Sequence, residues 1–170
     1  MDMSLKNMLA EGASMFGVSL DEKQIEAFFS YKDMLSVWNQ KMNLTAIEDD
    51  RQVIIKHFID SLSIMPFIKE AETLVDVGTG AGFPGIPLKI ARPKLSVLLM
   101  DSLGKRVVFL DEVISSLNLR GIKALHSRAE DAGINPEYRE SFDAAAARAV
   151  ASLPVLLEYC LPLVKLGGVF

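Results

Sequence analysis

Asp76, Gly78, Gly80 and Gly82 fall at alternate positions immediately after a short apolar run, Leu74, Val75 and Val77. A helical apolar pattern follows, with Ile86, Leu88, Ile90 and Ala91. The order is that of a buried strand, a tight glycine turn and a helix. Glycines in such a turn let the backbone approach a nucleotide closely, because no Cβ stands in the way. A second apolar run, Ser96 to Met100, ends at Asp101, which lies 23 positions after Gly78. An acid there can accept hydrogen bonds from both ribose hydroxyls of a bound nucleoside. Asp76 carries a carboxylate to the edge of the same turn. It repels a pyrophosphate and suits a ligand of positive charge.

S-adenosylmethionine is such a ligand, with an ammonium, a sulfonium and no phosphate. The pattern resembles the first motif of class I methyltransferases. Dinucleotide enzymes favour Gly-x-Gly-x-x-Gly, and Gly80-x-Gly82-x-x-Gly85 keeps a nicotinamide reading open. Asp76 has two readings at this point: it orients the loop or the methionine ammonium, or it caps backbone amides in the turn. Phe83 either packs on the ligand or belongs to the core at the helix start.

The elements that must position these residues change character at Thr73. Before it the chain reads as helix: Ile25, Phe28, Phe29, Leu35 and Trp38 share one face, and Ile54, Phe58, Leu62 and Met65 another, with a break at 39–50. Pro66 is expected to end the second of these. After Thr73, strands are expected at about 73–77, 96–101, 122–127, 142–148 and 167–170. Leu103, Val107, Leu110, Ile114 and Leu117 make one helix face between them, and Leu153, Leu156, Leu157, Cys160, Leu161 and Val164 another. Repeated βα units imply a Rossmann-like α/β fold, a parallel sheet with helices on both faces. The expected organisation is a single domain over 1–170, with an N-terminal helical cap (1–70) on an α/β core (71–170). Ligands of such sheets bind at the carboxyl ends of the strands. That rule gathers Gly78 to Phe83, Asp101 to Leu103, Ser127 to Glu130 and Ala147 to Ala149 into one site.

Composition sets the outer bounds. Half of the 170 residues are apolar and about a quarter charged, as in a globular domain. The net charge of −4 argues against a strongly basic nucleic-acid binder, although a slight positive surplus falls after the glycine turn, in 86–148. No apolar run approaches a membrane span. The lone Cys160 rules out an intramolecular disulfide and fits a reducing cytoplasm. Two histidines and one cysteine, so separated, do not make a metal site.

Several pieces together resemble one family: Trp38-Asn39 with Asn43-Leu44-Thr45, His57-Phe58-Ile59-Asp60-Ser61, the run from Asp76 to Pro87, Asp101-Ser-Leu-Gly-Lys-Arg106, and Arg148-Ala149. That family is the small-subunit ribosomal RNA methyltransferase G, or glucose-inhibited division protein B, family. The resemblance implies a class I methyltransferase that transfers a methyl group from S-adenosylmethionine to N7 of a guanine in 16S ribosomal RNA. It implies 16S ribosomal RNA or the small ribosomal subunit as partner, with no membrane and no metal, and cofactor contacts at Gly78, Phe83, Ala129, Glu130 and Arg148. Asp101 joins them from the βαβ argument above. Family members continue past the fifth strand, so C-terminal strands are expected to be absent here, and this chain is expected to be a less stable and less active fragment. The other readings are a methyltransferase for another substrate, a nicotinamide-dependent oxidoreductase and an inactive RNA-binding module.

Guanine N7 carries a lone pair and no proton, so the reaction needs no general base, and no side chain is assigned to bond-making. Lys105 and Arg106 sit in the first turn of a helix, where the macrodipole disfavours positive charge. That local cost suggests a use, the binding of RNA phosphate. Arg148, at the end of the fourth strand, faces cofactor or RNA, or else forms a structural ion pair. His57 reads as a satisfied, partly buried histidine, and Cys160 as core.

Overall fold

A computed structural model describes residues 3–170. Five parallel strands form one sheet in the order β3-β2-β1-β4-β5: β1 (Thr73–Val77), β2 (Ser96–Asp101), β3 (Ile122–His126), β4 (Phe142–Ala146) and β5 (Val164–Val169). β1 lies at the centre, with Val75 opposite Leu98 on one side and Ala145 on the other. A strand covered on both faces needs apolar residues at nearly every position. Leu74, Val75 and Val77 meet that demand, and Asp76 is the exception.

Alternation along β1 divides the core in two. Leu74 faces the layer built by the N-terminal helices with α5 (Gly85–Ala91) and α6 (Gly104–Ser116). Val75 and Val77 face the layer of α7 (Ala129–Ile134) and α8 (Leu153–Cys160). The N-terminal layer comprises α1 (Met3–Ser14), α2 (Glu22–Met42), and a helical stretch made of α3 (Asp50–Val53), a π-helical segment (Ile54–Ile59) and α4 (Asp60–Leu62). α2 starts with a reciprocal capping box: Asp21 accepts from the Gln24 amide, and Gln24 accepts from the Asp21 amide. The side-chain nitrogen of Gln24 then donates to the carbonyls of Ile90 and Ala91. One residue therefore finishes the start of α2 and the end of α5, and fixes the cap on the sheet.

Several boundaries differ from expectation. α2 runs through Asn39 to Met42 and ends at Asn43 in the left-handed conformation (φ 49°). α4 stops at Leu62, and Pro66 lies within a 3-10 turn (Met65–Phe67). β4 ends at Ala146, and β5 begins at Val164 with a register shift against β4. Leu103 precedes α6 and is 52% exposed, while Phe109, Leu110 and Val113 form the buried face. The helix turns its largest side chain inward, so that Phe109 meets Trp38 with ring centroids 5.6 Å apart. On α8 only Cys160 is buried; Leu153 and Leu157 on the helix, and Leu161 just after it, remain exposed. Its neighbour α7 is only 6 residues long and cannot cover it. Among the described residues no helix is long and apolar enough to cross a membrane.

Asp143 clasps the amino-terminal edge of the sheet. One carboxylate oxygen accepts from the amides of Glu72 and Thr73 and from the Thr73 hydroxyl, each at 2.9 Å, and the other accepts from Lys165 at 2.7 Å. The side chain thereby ties β1, β4 and β5 together. Asp143→Ala leaves the two amides without their acceptor and is expected to lower unfolding free energy by about 2 kcal/mol, measured by urea denaturation. A change below a few tenths would show that water replaces the clasp at no cost.

Candidate functional site

The glycine turn is organised from beneath by Asp76. Its Oδ2 accepts from the Thr79 hydroxyl at 2.6 Å and from the Gly85 amide at 2.7 Å. The first bond spans the turn and the second reaches the start of α5, so one oxygen sets both ends of the loop. The side chain is fully buried, and Oδ1 has no hydrogen-bond partner. Burial raises the pKa of Asp76 to about 6, against the lowering effect of the Thr79 and Gly85 bonds. Gly78 has φ +66°, and a Cβ there would lie 2.6 Å from Val150 Cγ2. Gly82, at φ +100°, leaves room for Tyr31, whose hydroxyl donates to the Ala81 carbonyl. Around a Cβ at Gly80 there is open space.

Asp101 closes the loop from the side of β2. Oδ2 accepts from the Gly80 amide at 2.9 Å, and Oδ1 accepts from the Leu103 amide at 2.9 Å. Arg106 reaches Oδ2 at 3.4 Å. Oδ1 keeps a further lone pair, but the first task of this acid is to hold two backbone amides.

A cleft of about 310 Å³ opens at the carboxyl ends of β1, β2 and β3. Gly78, Asp101, Ala129 and Glu130 line it together, as expected from strands that bring distant residues to one edge. Ala129 is buried and Glu130 is exposed. Val150 and Tyr159 also line the cleft. Neither was singled out from sequence, since an apolar residue after β4 and a tyrosine on α8 carry no spacing signal.

Phe83 and Arg148 stand apart from this cleft, on the cap side of the loop. Phe83 is buried between Tyr31, with ring centroids 5.4 Å apart, and His57, stacked at 4.5 Å and 10°. The Arg148 guanidinium lies 5.2 Å from the Phe83 centroid. It donates to Asp60 at 2.7 Å and to the Lys56 carbonyl at 3.1 Å. Its other amino group lies 3.1 Å from His57 Nδ1, and His57 Nε2 lies 2.8 Å from Thr45 Oγ1. Burial and the Arg148 charge lower the pKa of His57 to about 4. Arg148 thus makes an ion pair in addition to lying beside the loop. Sequence reasoning missed Tyr31 and Thr45 as partners of the site: Tyr31 reaches from the cap to the glycine loop, and Thr45 meets His57 from a separate segment of the cap.

Lys105 and Arg106 separate in the structure. Arg106 is paired with Asp101, which answers the electrostatic cost of a cation at the start of α6. Lys105 is exposed. Among the described residues, no group of three or more His, Cys, Asp or Glu is placed to hold a metal ion.

These residues fit a cationic nucleoside. The loop is open at Gly80, and two carboxylates, Asp76 and Asp101, bracket the turn.

Comparison with known proteins agrees with this geometry. A family model described as rRNA small subunit methyltransferase G matches residues 24–170. A protein of that name from Acetivibrio thermocellus is 63% identical over 99% of this chain and 70% of its own length. Another, from Alkaliphilus metalliredigens, is 52% identical over 99% of this chain and 71% of its length. Among solved structures, a putative S-adenosyl-L-methionine-dependent methyltransferase from Methanococcus maripaludis aligns with a TM-score of 0.58 at 16% identity, covering 81% of this chain and 59% of that one. TehB from Haemophilus influenzae aligns with a TM-score of 0.53 at 20% identity, covering 79% and 43%. At those identities the structural likeness establishes the Rossmann-like fold alone.

The raised pKa of Asp76 makes stability depend on pH. Its folded pKa lies above the ordinary 3.8, so its contribution is fully present below about pH 4 and is lost as pH rises through about 6. Asp76→Asn keeps an acceptor for Thr79 and Gly85 but cannot ionise. Between pH 4 and 7.5 the wild-type chain is expected to lose on the order of 3 kcal/mol relative to this variant, from about 1.4 kcal/mol per pKa unit. Denaturant titrations of both proteins at the two pH values test this, and parallel behaviour would refute it.

Proposed function

This chain belongs to the rRNA small subunit methyltransferase G family, and we propose that it transfers the methyl group of S-adenosylmethionine to N7 of a guanine in 16S ribosomal RNA. The reading is carried by the cleft at the carboxyl ends of β1, β2 and β3, where Gly78, Asp101, Ala129 and Glu130 meet. S-adenosylmethionine supplies a methyl group already activated by its sulfonium charge. The residues of the chain bind, orient and exclude water. Gly78 and Gly80 let the backbone come close to the ligand, Asp101 offers the free lone pair of Oδ1 to the ribose, and the Ala129–Glu130 backbone meets the adenine edge. Arg148 and Phe83 form the wall on the cap side of the loop.

Methyl transfer is an in-line displacement, and the rate comes from holding the nucleophile against the methyl carbon in a shielded site. Guanine N7 has no proton to remove. No buried acid or histidine therefore has to act as a base. His57 is engaged at both ring nitrogens by Arg148 and Thr45, and Asp76 is engaged under the loop, which accords with a reaction of this kind.

Incubation with small ribosomal subunits and S-adenosylmethionine labelled in its methyl group should give 7-methylguanosine in 16S RNA, read by mass spectrometry of nucleosides. Label found only in protein or on another RNA atom would overturn the acceptor. Lys105 and Arg106 should part company in the same assay. Lys105→Ala is expected to weaken RNA binding and reduce the slope of log affinity against log salt by about 1, with cofactor affinity intact. Arg106→Ala, which frees Asp101, is expected to weaken cofactor binding as well, by calorimetric titration. Identical profiles for the two variants would refute the separate roles.

A further inference from the structure

His57 holds a position that the proposed reaction does not use. It lies in the π-helical segment of the cap, a helix form often found at functional sites. One face of its ring stacks on Phe83, and both ring nitrogens are engaged by neighbours from outside the segment. A guanidinium has no acceptor atom, so the nitrogen facing Arg148 must present a lone pair. The neutral ring then carries its proton on Nε2 and donates it to Thr45 Oγ1. Thr45 Oγ1 accepts in turn from the Ile47 amide at 3.0 Å, and the Thr45 amide donates to Asn39 Oδ1 at 2.8 Å. The loop after α2 thereby holds the Thr45 hydroxyl against Nε2, while Arg148 determines that Nδ1 is the accepting nitrogen.

Among the described residues, Arg148 is otherwise held by Asp60, about half of whose side chain is exposed, by the Lys56 carbonyl and by the Phe83 face. We infer that His57 is a positioning residue: with Nε2 engaged by Thr45 and Nδ1 facing the guanidinium, it holds Arg148 at the carboxyl end of β4 and against Phe83. The inference rests on the placement of Arg148 in the methyltransferase site. It assigns His57 no contact with substrate and no proton transfer.

A double-mutant cycle on His57 and Arg148 tests this, read as kcat and KM for methylation of small ribosomal subunits by the full chain. His57→Phe keeps a ring to stack and removes the acceptor. It is expected to lower kcat/KM about tenfold, within the usual range for coupled neighbours. His57→Asn puts an amide oxygen near the place of Nδ1 and should recover most of that loss. In the Arg148→Ala background, His57→Phe should change the rate less than about twofold. Additive losses, or a His57→Asn variant as poor as His57→Phe, would overturn the inference. If Arg148→Ala itself leaves methylation unchanged, the placement of Arg148 in the site falls, and the role of His57 with it. If Arg148→Ala impairs methylation and His57→Phe does not, only the positioning role falls. Should His57→Phe fail to fold, judged by circular dichroism, the same cycle runs with Thr45→Val, which removes the partner of Nε2 and leaves the imidazole in place. Coupling to Arg148 then supports the inference and additivity overturns it.

Discussion

A single buried carboxylate oxygen organises the molecule. Asp76 Oδ2 stands at the end of the central strand and accepts from both Thr79 and Gly85. It offsets, together with Asp101 and Tyr31, the entropy that three glycines lose on adopting one conformation. The cost is an ionisable group in a layer where every neighbouring position of β1 is apolar. The chain meets that cost with two short hydrogen bonds on one oxygen and leaves the other without a partner. A buried polar atom in this condition is uncommon in folded proteins. It lies beneath the loop that the sheet topology marks as the ligand site.

Around that point the remaining polar groups are arranged in pairs that cross between elements. Asp101 joins the β2 end to the glycine turn and to α6, through Gly80, Leu103 and Arg106. Arg148 joins the β4 end to the cap, through Asp60, His57 and the Lys56 carbonyl. Tyr31 reaches from α2 to the carbonyl of Ala81, and Gln24 from α2 to the end of α5. The cap is therefore part of the site's construction. It sets the far wall of the glycine turn, with Phe58, Tyr31 and His57 packed around Phe83.

The order of strands and helices could be read from sequence because it is written in local periodicity. β1 and β2 have the boundaries that their apolar runs and flanking turns suggest, and the glycine spacing marked the turn between β1 and α5. What could not be read lies in contacts between distant segments. α6 shows the limit well: two apolar stripes run along it, one through Leu103 and Val107 and one through Phe109 and Val113. Packing against β2, β3 and Trp38 decides which residues are buried, and Leu110 of the first stripe goes in with Phe109 and Val113. Asp101 and Arg106 were legible as residues of a site, but not as partners of each other. His57 and Thr45 were visible within separate motifs, and nothing in one sequence says that they meet. α8 failed for a different reason, since an apolar face predicts burial only where another element is present to cover it.

The distribution of charge gives these separate contacts a common sense. Under the proposed reading, methyl transfer moves a positive charge from sulfur to the purine, so the site must accept a cation both before and after reaction. Unpaired arginines beside such a reaction would oppose it, with the strength of unit charges in a medium of low dielectric constant. Arg106 and Arg148 are each paired with a carboxylate, Asp101 and Asp60. His57 is kept neutral by burial and by Arg148. Asp76 lies beneath the turn with a free oxygen, and its ionisation near pH 6 leaves it negative at neutral pH. Lys105, exposed at the start of α6, remains available to the phosphate backbone of the proposed substrate rather than to its reacting base. The guanidinium groups can then shape and anchor the site without adding net positive charge where positive charge must travel.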